Sequence, residues 1–343
     1  MVDGWEVAMK ERILAFVSVL TVLLTISSVA PLPVTLSAQS TPQRGEGWVP
    51  LRTAWGDPDF QGIWSYNDDV DTPFERPGQF AEKAIVEEED EVAALLKERA
   101  RRNVERAPTI GGETGAGPVH WYEFWAAKSN RTSRVVDPPD GRVPSLTPEA
   151  LAREAARAEA RRHRGPADSW EDRSLWDRCI AARGGLPHVI VNPGSYNNIV
   201  QILQSPGFVV ILHEMIHEAR IIPLDGRPHV GRNVRQYLGD DRGRWEGNTL
   251  VVDVTNFTDK TDFRGSRETL HLVERWTRVD ANRINYEVTV DDPATFTKRW
   301  TVGVPMKQDE GQTQIFEYAC HEGNYGLANI LSAARAEEVA KGK

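Results

Sequence analysis

From Leu186 to the C-terminus, turn residues cut the chain into short apolar runs, and this punctuation constrains the fold more than any other feature. The runs read NIVQIL, FVVIL, ARIIPL, TLVVDVTNF, TLHLVERWTRV, RINYEVTV, KRWTVGV and TQIFEYAC. Between them stand turn formers such as Ser205-Pro206-Gly207, Asp225-Gly226, Gly247-Asn248 and Asp292-Pro293. Within one run Ile284, Tyr286, Val288 and Val290 alternate with Asn285, Glu287 and Thr289, the pattern of a strand with one buried face. Many short strands at this spacing predict a mainly β fold. The expected form is an antiparallel β-barrel or sandwich, calycin- or lipocalin-like, over residues 186–335. Gly62-Ile63-Trp64 matches the short Gly-x-Trp pattern of lipocalins.

Residues 39–185 read as a mixed, partly helical and irregular region that adds one strand near residues 60–66. FAEKAIVEEEDEVAALLKERARRNVERAP is helical by composition, acidic first and basic later, which complements the helix dipole. A second helix starts with Thr147 as N-cap and Pro148 at its first position, and continues until Gly165.

Ahead of these regions, Lys10 and Arg12 precede the apolar run ILAFVSVLTVLLTISSVAPLPV, and TLSAQS follows. A basic end, an apolar core and small residues at a cleavage point describe a secretory signal peptide over residues 1–38. Pro31 and Pro33 break the run, so no membrane anchor is expected after cleavage at Ala38. The product is exported, to the periplasm or beyond. In an oxidising compartment Cys179 and Cys320 are expected to form a disulfide. The net charge of -9 argues against a nucleic-acid partner, which a basic surface would attract.

Several longer segments carry a resemblance. SPGFVVILHEMIHEARIIPLDGRPH, GRWEGNTLVVDVTNF, LHLVERWTRVD, YEVTVDDPATFTKRWT and FEYACHEGNYG resemble an uncharacterised family of exported bacterial proteins, over nearly all of the chain after the leader. The resemblance implies secretion and a compact β-rich core. It brings no catalytic residues.

HEMIH, residues 213–217, matches the H-E-x-x-H zinc motif. On a helix, His213 and His217 would share one face to bind Zn²⁺, with Glu214 activating the metal-bound water. Ser205 and Pro206 offer a helix start, and Pro223 an end. Against this, β-branched residues crowd both flanks, and Arg220 and Pro223 stand where an extended zincin motif has Gly and a third His. Two histidines in a sheet are the expected outcome, and a zinc hydrolase the alternative.

Glu274 falls in register with Leu270, Leu272 and Trp276, so a carboxylate faces an apolar side. It acts there either as a general acid or base, with His271 as partner, or as half of a buried ion pair with an arginine such as Arg220 or Arg275. His321-Glu322 gains interest only if it meets another histidine in space. Aromatic residues suit a small apolar or aromatic ligand: Trp121 and Trp125 in VHWYEFW, and Trp276 and Tyr286 in the strands. The leading expectation is an exported small-molecule-binding protein with no cofactor. A zinc hydrolase and an envelope scaffold are the alternatives, and the oligomeric state stays open.

Overall fold

Alternation along the runs is what organises the molecule. The computed structural model describes residues 48–106, 128–181, 197–308, 311 and 314–342. The signal-peptide segment, Trp121 and Trp125 lie outside the described residues.

Ten strands follow one another: β1 (Gly62–Ser65), β2 (Val135–Asp137), β3 (Ile199–Ser205), β4 (Phe208–His213), β5 (Ala219–Pro223), β6 (Asp240–Glu246), β7 (Thr249–Thr255), β8 (Leu272–Arg278), β9 (Arg283–Val290) and β10 (Trp300–Lys307). All belong to a single antiparallel sheet in the order β5-β4-β3-β1-β10-β9-β8-β7-β6, with β2 paired to the start of β10. Hairpins set the register. Ser205 pairs with Phe208 across Pro206-Gly207, and Gly207 takes the left-handed conformation (φ 81°) that this tight reversal needs.

The expectation of a barrel or sandwich is corrected here. Among the described residues there is one sheet, not two, and it is not closed: β5 and β6 are its free edges. These edges meet through side chains instead of a ladder. Gly243 of β6 lies so close to β5 that a Cβ there would sit 2.6 Å from Leu224 and 2.7 Å from Ile222. Pro223 also has no N–H to donate at the end of β5.

The concave side is filled. Trp64, Ile202, Ile211, Ile222, Leu250, Trp276, Tyr286, Val288, Trp300 and Val304 belong to one buried cluster. Trp300 stacks on Phe263 at 5.6 Å and meets Phe296 edge-on at 5.4 Å. Burial of this apolar surface is the main driving force for the fold.

Among the described residues there are three α-helices: α1 (Glu89–Arg106), α2 (Pro148–Arg161) and α3 (Gly326–Ala340). Thr147 caps α2 as expected, its hydroxyl accepting the Ala150 N–H at 3.1 Å. Residues Gly45–Lys343 form one compact unit. β1 falls where the sequence predicts one strand near residues 60–66 and sits mid-sheet between β3 and β10, while β2 is a second strand from the same partly helical region. No helix among the described residues is long and apolar enough to cross a membrane.

Candidate functional site

HEMIH is a strand end, a turn and the approach to the next strand. His213 closes β4, residues Met215–His217 make a single 3-10 turn, and β5 begins at Ala219. Ile216 and His217 take left-handed backbone angles (φ 67° and 47°), and the His213 N–H donates to Glu218 O at 2.8 Å. The helix that would place both imidazoles on one face is absent. His213 is buried inside, where burial and the Arg220 guanidinium push its pKa down to about 3. His217 turns outward and donates through Nδ1 to Tyr318 O at 2.6 Å. Among the described residues no group of three or more His, Cys, Asp or Glu side chains is arranged to hold a metal.

What this turn does hold is the C-terminal strap. Glu214 accepts the Phe316 N–H at 3.0 Å and an Asn197 amide proton. The strap then reaches Cys320, which is disulfide-bonded to Cys179 with Cα atoms 5.9 Å apart. His321 does meet another histidine: its ring lies edge-on to His217, centroids 6.2 Å apart, beside a hollow of about 370 Å³.

Glu274 faces the interior with no exposed side-chain surface, and Arg220 occupies both its oxygens at 2.6 and 2.9 Å. Trp276 Nε1 adds a third bond at 3.2 Å. The same guanidinium binds Asp241 at 2.7 Å, so Arg220 of β5 ties together β6 and β8 across the open edge of the sheet. Burial opposes the Arg220 charge, but Asp241 and Glu274 overcome it and hold the pKa well above its ordinary value. The ion-pair alternative for Glu274 thus matches the geometry. Trp276 and Tyr286 pack against each other at 4.3 Å in the core, 0% and 1% exposed.

His271 sits apart from Glu274, on the outer side of the sheet. Its Nε2 meets Asp253 at 2.8 Å, and the other Asp253 oxygen meets His229 Nε2 at 2.8 Å. His229 Nδ1 then contacts Asp240 at 2.8 Å, completing a His–Asp–His–Asp chain. The bond to Asp253 raises the His271 pKa; burial pushes the Asp253 pKa up, and its two imidazole partners bring it below the usual value. This chain fastens the segment after β5 onto β6 and β7. Sequence reasoning singled out His271 but not its partners, because Asp253 looks like an ordinary outward residue of VVDVT.

A larger opening lies elsewhere. A cleft of about 1030 Å³ is bounded by the end of α2, by residues 165–178 and by residues 259–267. Leu175 and Trp176 give it an apolar portion, while Arg157, Arg161, Arg164, Arg173, Arg178, Lys260 and Arg267 line the remainder with five acidic residues. Arg178 lies over the Trp170 ring at 4.5 Å. The wall is braced from outside: Cys179 carries the disulfide, and Arg335 of α3 donates to the Ala167 and Asp168 carbonyls. Only the α2 residues could have been found from sequence, since Arg153, Arg157 and Arg161 recur at the four-residue spacing of one helix face.

No protein-family model, curated protein or solved structure matches this chain.

Proposed function

We propose that this chain is an exported small-molecule-binding protein whose ligand occupies the cleft between α2, residues 165–178 and residues 259–267. The observation that carries this reading is the size and mixed lining of that cleft. About 1030 Å³ suits a small organic ligand, and Leu175 and Trp176 offer apolar contact beside converging polar groups. The concave side of the sheet is a poorer host, since Trp276, Tyr286 and Trp300 fill it with side chains at 1% exposure or less. Export is supported by the Cys179–Cys320 disulfide, which persists in an oxidising compartment, and by the signal-peptide pattern of residues 1–38.

Naphthalene compounds are suitable probes because a two-ring aromatic can lie against Trp176. Isothermal titration of the mature protein with 1-naphthol and 1-naphthoate is expected to give saturable one-to-one binding to at least one of them, with quenching of tryptophan fluorescence. Leu175→Ala is expected to weaken that binding severalfold. Saturation by neither compound would overturn the assignment of the cleft.

A further inference from the structure

We propose that the ligand of this cleft carries an oxyanion, a carboxylate or phosphate group, held by Arg157, Arg161 and Arg267. The inference rests on the binding reading above and names the chemistry of what is bound. Arg157 and Arg161 stand one helical turn apart on α2, so both side chains leave the same face toward the cleft. Arg267 lines the cleft from the loop ahead of β8.

The three differ in freedom. Arg267 is fixed: its side chain is 7% exposed, Asp262 binds its Nη2, and its Nη1 donates to Asp259 O at 3.1 Å. Its Nε makes no hydrogen bond, and Glu154 Oε1 lies 3.8 Å from it. A buried donor left without an acceptor is costly, and this guanidinium is left incompletely satisfied. Arg157 has only a loose contact, with Glu154 Oε1 at 3.7 Å, and among the described residues no carboxylate forms an ion pair with Arg161. One guanidinium is therefore set in place and two can swing.

Charge points the same way. The cleft is lined by seven basic side chains against five acidic ones, in a chain whose net charge is -9. Arg164, Arg173, Lys260 and Arg267 are matched by Asp172, Asp177, Glu171 and Asp262, and Glu154 beside the cleft contacts Arg157 at 3.7 Å, which leaves Arg161 and Arg178 in excess of Asp259. Burial lowers the Arg267 pKa; Asp262 and Glu154 oppose that, while the nearby Arg157 and Arg161 charges add to it. Like charges brought together around an opening are relieved by an anion, and guanidinium forks match the paired oxygens of carboxylate and phosphate.

The test compares three probes of one aromatic body, 1-naphthol, 1-naphthoate and 1-naphthyl phosphate, titrated calorimetrically into the mature protein at low and at physiological salt. The anions are expected to bind at least tenfold more tightly than 1-naphthol, with an advantage that shrinks as salt rises. The order of the two anions distinguishes a carboxylate ligand from a phosphate ligand. Arg161→Gln, at an exposed position, is expected to weaken both anions about tenfold and 1-naphthol far less. Equal affinity for all three probes, or an Arg161→Gln protein that keeps the full preference for anions, would overturn the oxyanion assignment while the cleft remains a binding site. Binding of none of the probes would overturn both.

Discussion

Arginine is used in two opposite ways in this molecule. At the open edge of the sheet, Arg220 is buried, bound by two carboxylates, and joins β5 to β6 and β8. At the cleft, Arg157 and Arg161 extend from α2 toward Arg267 with too few acids to match them. The first arrangement is complete by itself, with its guanidinium bonds directed at protein oxygens. The second is incomplete, and its surplus donors face an opening. A balanced buried charge marks scaffold, while an unbalanced one beside a cleft marks a place for a ligand.

The sharpest way to break this contrast is to remove Arg220. Arg220→Met leaves Glu274 buried without its cation, at an expected cost of about 3–5 kcal/mol in urea unfolding. Adding Glu274→Gln to Arg220→Met should recover part of the loss, since the stranded charge is then gone. A cost below about 1 kcal/mol for the single variant would mean that the edges are held by packing at Ile222, Leu224 and Gly243 alone.

A second effect belongs to the same seam and is read through pH. His213 is kept neutral in the fold, its pKa lowered from 6.5 to about 3 by burial and by Arg220. Between those values the unfolded chain binds a proton that the folded chain refuses. Stability is therefore expected to fall as pH drops below 6.5, with a slope approaching about 1.4 kcal/mol per pH unit. Comparing pH 6.5 with pH 5 limits the contribution of carboxylates. His213→Asn should flatten the slope in that window, and an unchanged slope would show that His213 does not carry it.

Much of the sheet was legible in the sequence because strand periodicity is a local signal. RINYEVTV alternates as β9 does, and Ser205-Pro206-Gly207 is the hairpin turn between β3 and β4. The cap at Thr147 was legible for the same reason. HEMIH was decided by its neighbours: the β-branched residues of FVVIL and ARIIPL prevailed over the possible caps at Ser205 and Pro206. Closure was not legible. Whether β5 and β6 join by backbone or by side chains depends on the curvature summed over all the strands between them. TQIFEYAC looks like another strand, yet its described residues form a strap fastened by Glu214 and His217. The cleft was least accessible of all, because the arginine stripe of α2 does not reveal that Arg267 faces it from far along the chain.

The smallest expected change completes the comparison. Arg161 has the same side chain as Arg220, but its loss should shift stability by no more than about 0.5 kcal/mol in either direction. Its position is exposed, and no carboxylate among the described residues is left stranded by removing it. The sign should lean toward stabilisation, because Arg161→Ala relieves repulsion of Arg267, whose pKa it helps to lower. Urea unfolding of Arg161→Ala beside Arg220→Met measures both ends of the contrast under one condition. If Arg161→Ala instead costs 2 kcal/mol or more, the cleft arginine is serving the fold as Arg220 does. The unmatched charge would then have an internal partner, and the basis for expecting an anion there would be lost.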